Sequence, residues 1–301
     1  MFDKSYVREA LQLMQEHSLH RNNIDWAKLT SLTLATEGSA HDAVRYALEQ
    51  LGDRHSFLRV PTPGNDHASV SPQLTPTGHL LPRSSLPIGV VKIPGFSVFS
   101  LAAPEASEFV RTAHALLQDL AAAHVVGWII DLRDNWGGNM WPMLAAVGPL
   151  LGARDVGHYD NASSRQTWWH ENGAVGIRDQ GQEYTLLNVE PQPNADLNAC
   201  ASAPVAVVIN GATASSGEAT AVSFRGRQRT RFFGCPTYGL STDNQTFALA
   251  DGSELLLTVA VFVDRNGQKY ESGMTPDEPT EGDDEHSIGA AAHWLIQQVG
   301  R

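Results

Sequence analysis

The segment VAVVINGATASSGEATAVSF, residues 205–224, constrains the fold more tightly than any other part of the chain. It opens as a uniformly apolar strand of the buried type. It continues through small residues that permit a tight turn, and then takes on helical composition near Ser215. Apolar runs with the same strand character occur at 88–93, 125–131 and 230–234, with a helical stretch at 103–123 between the first two. Strands alternating with helices predict an α/β (α+β) core. A chain with 42% hydrophobic residues has enough apolar material to bury it.

The flanks read differently. Tyr6, Ala10, Leu11 and Met14 recur at helical spacing, a second helical pattern covers 41–51, and Asn23-Ile24-Asp25 ahead of Trp26 reads as a turn that starts a helix. Residues 60–87 turn to Pro, Ser, Thr, Gly and Asn, the composition of a long connecting loop. Near the other end, Asp251-Gly252 between apolar runs at 245–250 and 254–263 is a hairpin signal. A closing helix is predicted over 287–299. The expected organisation is a helical amino-terminal subdomain (1–59), a connecting loop (60–87) and a core (88–301).

Charge narrows the function. With 21 Lys and Arg against 33 Asp and Glu, a formal charge of -12 has the wrong sign for a nucleic-acid partner. No apolar run approaches a membrane span, and no signal-type stretch is visible at the amino terminus. The chain reads as soluble and cytoplasmic; a periplasmic or extracellular protein that had shed a leader would look the same. Cys200 and Cys235 are too few for a disulfide framework and lack metal-ligand spacing.

Two stretches carry the signs of chemistry. A serine at a strand-to-helix junction, such as Ser215, has its hydroxyl exposed beside outward-pointing backbone N–H groups that suit an oxyanion. The same pattern also describes a serine that merely caps a helix, with Glu218 completing a capping box. The second stretch, DLRDNWGG at 131–138, is a strand running into Gly137-Gly138, a pair that lets backbone N–H groups approach a ligand closely. Its ordinary reading is a strand-to-helix turn with Arg133 in a structural ion pair.

Taken together, DLRDNWGG and the later TASSGE resemble the tail-specific, or carboxyl-terminal processing, serine peptidases. That family includes the tricorn protease core, and its nisin-resistance-protein branch carries the GGNM and TASS-type stretches seen here. The resemblance implies a crotonase-like or Clp-protease-like core of ββα units. It also implies Ser215 as nucleophile, with oxyanion donors from Ser216 and from Gly137 or Gly138. One branch of the family activates its serine with a lysine in G-x-P-T-x-G-K. This chain has Gly234-Cys235-Pro236-Thr237-Tyr238-Gly239 and then Leu240, which excludes that base. The other branch uses a histidine in L-G-D-x-H-[ST], matched by Leu51-Gly52-Asp53-Arg54-His55-Ser56. His55 is therefore the expected general base.

The resemblance implies Glu271, ahead of Gly273-Met274-Thr275-Pro276-Asp277, as the third member that orients it; the tricorn core links histidine to glutamate through a neighbouring serine, where this chain has Arg54, so the expectation is that Ser56 takes that linking place or that Ser215 and His55 act as a dyad. Asn139, Met140, Trp141 and Tyr238 are the expected substrate contacts, with Trp136 adding to an apolar floor. The stretch between His55 and Asp131 is too short to add a PDZ module. The predicted function is a serine endopeptidase acting on peptides or protein carboxyl-terminal segments, without metal or organic cofactor and with oligomeric state open. A retinoid-type binding protein on the same fold and an esterase are the rival readings.

Overall fold

The structure is a computed structural model that describes residues 3–61, 74–161, 163–190, 197–280 and 284–299. The chain divides into two compact units, Met1–Ser71 with Thr242–Val261, and Pro72–Ser241 with Phe262–Arg301.

In the first unit the helices Lys4–His17, Trp26–Leu34 and Ala40–Glu49 each begin at a side-chain cap. Asp3 accepts from the Ser5 N–H, Asp25 from the Lys28 N–H, and Ser39 and Asp42 form a reciprocal capping box. The expected helix start at Asp25 is thus the observed one. Tyr6, Val7, Ala10, Leu11 and Met14 face a core shared with Ala43, Val44, Ala47 and Leu48. Leu249, Leu255 and Leu257 complete that core, so the hairpin around Asp251-Gly252 groups with the helical region. Its strands, Thr242–Ala248 and Glu254–Asp264, pair antiparallel, and Phe57–Arg59 pairs antiparallel along the other edge of Glu254–Leu256.

The second unit is built on a six-stranded sheet. In spatial order its strands are Glu278–Pro279, Thr230–Gly234, Val205–Ile209, Trp128–Asp131, Gly89–Lys92 and Thr77–Leu80, all parallel except the last. Every residue of Trp128–Asp131 and Val205–Ile209 is buried, because helices cover both faces. Pro104–Ala122, Met140–Val147 and Ser216–Val222 pack into the larger core with Val91, Ile130 and Val207, while Ala291, Ala292 and Leu295 of Asp284–Gln297 pack with Val90, Ile129 and Val208.

Two features depart from the sequence reading. Thr77–Leu80 within the expected connecting loop is a strand, because its backbone pairs with Gly89–Lys92 across a tight connection. A four-stranded antiparallel meander, Asp155–Asp160, Arg165–Glu171, Ala174–Asp179 and Gln182–Asn188, follows the helix Met140–Val147. Trp168 and Trp169 lie within it and are buried, which makes them core residues.

Arg227 anchors one end of the parallel sheet. It is buried and donates to the carbonyls of Leu150, Gln228, Ala201 and Ala203 and to the Thr230 hydroxyl. Burial lowers its pKa to about 10, which leaves it charged at neutral pH. Arg227→Ala strands several of those carbonyls without donors, and the expected loss is about 2–4 kcal/mol. Urea titration followed by tryptophan fluorescence measures it.

Candidate active site

The parallel strands of the second unit all end at one edge of their sheet, where α/β folds place their ligands. The loops that leave those strand ends are bonded to one another. Phe96 donates its N–H to the Gly137 carbonyl at 3.0 Å, and the Asn139 N–H returns to the Phe96 carbonyl at 2.8 Å. The Ala214 N–H meets the Asn135 carbonyl at 2.9 Å, and the Tyr238 N–H meets the Thr213 carbonyl at 2.9 Å. Three separate chain segments are thereby tied to the one that carries Ser215.

Ser215 itself has φ 51° and ψ -120°, a conformation that a residue with a Cβ rarely adopts. This backbone carries the chain through a sharp bend from Val205–Ile209 into the helix Ser216–Val222, the geometry of a nucleophile elbow. Glu218 holds the bend. Its carboxylate, fully buried, accepts from the N–H of Ser215 at 2.9 Å, the N–H of Leu240 at 2.8 Å, the N–H of Gly239 at 3.1 Å and the Thr237 hydroxyl. Burial pushes its pKa up, against the pull of these donors. Glu218 therefore does more than cap a helix, and the S-x-x-E spacing was the sequence signal for it.

The glycine pair lies against this bend. A Cβ built on Gly137 falls 2.7 Å from the Ala214 carbonyl, 2.9 Å from the Ser216 nitrogen and 3.0 Å from the Ser215 Cβ. One built on Gly138 falls 2.0 Å from the Phe96 carbonyl, so both positions need glycine on space as well as on their positive φ. The Gly137 N–H is already taken by the Asn135 side chain at 3.0 Å. The N–H groups of Gly138 and Ser216, by contrast, have no acceptor among the described residues. The Ser216 hydroxyl donates to the Gly138 carbonyl at 2.6 Å and ties the two donors together.

Asn135, which the sequence reading passed over, is buried and also donates to the Ile93 carbonyl at 2.9 Å. Arg133 forms a buried two-pronged pair with Asp131, at 2.8 and 2.7 Å, as its structural reading had it.

The expected substrate contacts divide. Asn139 and Met140 are buried: the Asn139 amide donates to the Phe99 carbonyl while its oxygen accepts from the Trp141 N–H, and the Tyr159 hydroxyl points at the Met140 sulfur. They build the turn, Asn139 as the cap of the helix Met140–Val147 and Met140 as its first residue. Trp141 is half-buried against the core. Tyr238, Trp136 and Phe99 are the aromatic side chains left exposed in these loops.

His55 lies in the first unit, in a turn defined by Asp53. The Asp53 carboxylate accepts from the N–H of His55 at 3.0 Å, the N–H of Ser56 at 2.6 Å and the Ser56 hydroxyl at 2.9 Å. Asn244 donates to the His55 carbonyl at 2.6 Å. The ring nitrogen Nδ1 is 2.8 Å from the Thr242 hydroxyl. Burial lowers the pKa of His55 to about 4, with the charge of Asp53 opposing the shift.

The two residues with an expected part in orienting His55 have these surroundings. Ser56 gives its hydroxyl to Asp53. Glu271 is exposed and makes no hydrogen bond or ion pair among the described residues, because its strand-end position sends the carboxylate to water. Among the described residues no group of three or more His, Cys, Asp or Glu is placed to hold a metal ion, and no helix is long and apolar enough to cross a membrane.

Comparison with known proteins gives the chain's family and fold. The profile of "Peptidase family S41" matches residues 87–280. The chain is 27% identical over 306 residues to the nisin-resistance protein of Lactococcus lactis subsp. lactis, a match covering 98% of this chain and 88% of that one. It is 28% identical over 201 residues to the chloroplastic carboxyl-terminal-processing peptidase 2 of Arabidopsis thaliana, covering 64% of this chain and 32% of the other. Among solved structures, a lipoprotein from Streptococcus agalactiae superposes with a TM-score of 0.72 at 24% identity, covering 98% of this chain and 96% of that one. A photosystem II D1 carboxyl-terminal processing protease superposes with a TM-score of 0.62 at 17% identity, covering 96% and 97%. These two likenesses are likenesses of fold.

The contact distances at Gly137 yield a prediction. Gly137→Ala forces its Cβ into the Ala214 carbonyl and the Ser216 nitrogen, and displaces the bend that carries Ser215. Reactivity toward a fluorophosphonate is expected to fall about a hundredfold or more. Labelling rates measured beside circular dichroism spectra separate this from loss of the fold.

Proposed function

The chain belongs to peptidase family S41 and is a serine peptidase, and from that premise we propose that it cleaves peptide bonds through an acyl-enzyme on Ser215 with His55 as general base. The observation that carries the reading is the backbone of Ser215. A non-glycine residue held at φ 51° and ψ -120°, beside the N–H groups of Ser216 and Gly138 that have no acceptor among the described residues, supports a reacting serine over one that only caps a helix.

In the proposed reaction His55 takes the hydroxyl proton of Ser215 as its oxygen bonds to the substrate carbonyl carbon. The carbonyl oxygen becomes an oxyanion and accepts from the N–H groups of Ser216 and Gly138. Each such donor contributes roughly a hundredfold or more to rate. Of the two glycines, Gly138 is the donor of choice, since Asn135 occupies the N–H of Gly137. Protonated His55 then passes its proton to the departing amine, and water, activated by the same imidazole, releases the acyl group.

Leu240, standing where the lysine-type branch of the family has its base, supports the reading of His55 as the base. The substrate class is a peptide or the carboxyl-terminal segment of a protein, in keeping with the names of the relatives. The exposed rings of Trp136, Tyr238 and Phe99 favour apolar side chains near the cleaved bond.

Two measurements test this. Ser215→Ala abolishes labelling by a fluorophosphonate and hydrolysis of a peptide library while the protein keeps its melting temperature within a few degrees; undiminished labelling in the variant moves the nucleophile elsewhere. The second is the acid limb of kcat/KM. A base needs its neutral form, and burial lowers the pKa of His55 to about 4. Activity is therefore held as pH falls through 6 and is lost only near pH 4. A histidine at its ordinary value near 6.5 would retain only about a tenth of its neutral form at pH 5.5.

A further inference from the structure

We infer that Thr242 is the residue that positions the imidazole of His55 and keeps its proton on Nδ1, a part that the sequence reading assigned to Glu271. This inference rests on the reading of His55 as the base.

The geometry begins with the strand Thr242–Ala248. Thr242 is its first residue and pairs with Val261 across the ladder. Its side chain is β-branched and stiff about χ1, so its hydroxyl is presented in a fixed direction. Oγ1 stands 2.8 Å from Nδ1 of His55. Asn244, two positions further and on the same strand face, donates from its amide to the His55 carbonyl at 2.6 Å. One strand thus grips the histidine twice, at the ring and at the backbone.

Thr258, opposite Asn244, closes the arrangement. Its hydroxyl is 3.1 Å from the Asn244 oxygen and 3.2 Å from Asp53, and its N–H donates to the Ser56 hydroxyl at 2.9 Å. The register shifts between Asp243 and Asn244, as at a β-bulge, which re-aims side chains beside functional sites. The carboxylate of the same turn, Asp53, is occupied by the N–H groups of His55 and Ser56 and by the Ser56 hydroxyl, so it is not the ring's partner.

The chemistry requires such a partner. A neutral imidazole carries one N–H, and it can take a proton at Nε2 only when that hydrogen is on Nδ1. Thr242 Oγ1, accepting from Nδ1–H, stabilises this tautomer. The same hydrogen bond survives when Nε2 gains the proton of Ser215, because Nδ1 keeps its hydrogen throughout. A hydroxyl does this as a neutral dipole, without a countercharge for the imidazolium. Thr242 is accordingly a positioning residue acting through His55.

The test compares Thr242→Val, which keeps the branched shape and removes the hydroxyl, with Thr242→Ser, which restores the hydroxyl. The reaction is inactivation of the full chain by a fluorophosphonate, resolved into a saturating rate and a half-saturating concentration. Thr242→Val is expected to lower the saturating rate about ten- to a hundredfold with the half-saturating concentration unchanged, and Thr242→Ser to recover most of it. Nitrogen-15 spectra of histidine-labelled protein, with His55 assigned by its absence in His55→Gln, are expected to show the Nδ1–H form in the wild type.

Wild-type saturating rates in Thr242→Val overturn the inference. A wild-type spectrum dominated by the Nε2–H form overturns it as well, even where the valine variant fails to fold. Full reactivity of His55→Gln instead overturns the assignment of the base itself. Loss in His55→Gln with no loss in Thr242→Val removes Thr242 alone.

Discussion

The carboxylate of Glu218 is the constraint on which the catalytic half of this molecule depends. Ser215 adopts a backbone conformation that costs about 1–3 kcal/mol, and nothing in its own side chain compensates. The compensation comes from below, where one buried carboxylate accepts from Ser215, Gly239, Leu240 and Thr237. A charge-assisted bond to each donor is stronger than a neutral one, and the set ties the strained bend to the loop leaving Thr230–Gly234. The cost of burying the carboxylate appears as its raised pKa, and it is tolerated because its donors come from parts of the chain that must be held together. Removing any one donor leaves the others in place, so the bend is over-determined.

A second level of order comes from Asn135. Its side chain accepts from Gly137 and donates to Ile93, while its backbone carbonyl accepts from Ala214. Side chain and main chain of a single buried residue therefore fix both the glycine pair and the chain entering the serine bend. This explains why the glycines are useful and not merely permitted. Gly137 gives up its N–H to structure and supplies only the absence of a Cβ beside Ser215, whereas the Gly138 N–H has no acceptor among the described residues. Two identical residues side by side do different work because one amide is claimed by a neighbour and the other is not.

How much of this was legible in the sequence follows from the range of each interaction. The strands Trp128–Asp131 and Val205–Ile209 are buried on both faces, and their unbroken apolar runs announced them. The meander Asp155–Asn188 did not announce itself. Its strands bury Trp168 in the core on one face, while on the other Trp169 lies under the Arg154 guanidinium in a network with Arg178, Asp155 and Glu183, a mixture that resembles a polar loop when read in one dimension. The strand Thr77–Leu80 was hidden for a related reason: it is an exposed edge strand, and its existence depends on pairing with Gly89–Lys92. Local motifs single out Ser215, Gly137, Gly138 and His55 as candidates. They give no indication of Thr242, which bonds to His55 across 187 positions of sequence, nor that Glu271 is exposed. Nor do they show that Asn139 and Met140 are buried, because a cap and a buried first turn look, in sequence, like any other residues beside a glycine pair.

The proposed mechanism distributes its work unevenly, and the neutral partner on Nδ1 is the reason. A carboxylate in that place would strengthen the imidazole as a base and offset the positive charge that forms on it. In the inferred arrangement a hydroxyl accepts from Nδ1–H but brings no countercharge, and burial lowers the pKa to about 4. Such a base is neutral at neutral pH, yet each proton it accepts is held weakly. The missing driving force must come from the other end of the reacting system, where negative charge develops on the carbonyl oxygen. There the donors are preorganised to an unusual degree, with Ser216 and Gly138 bound to each other and backed by Glu218 and Asn135. Rigid backbone donors need no reorganisation as charge appears, which is the condition under which electrostatic stabilisation contributes most. In the proposed mechanism a weakly basic imidazole is thus offset by rigid oxyanion donors, which the hydrogen bonds around the Ser215 bend hold in place.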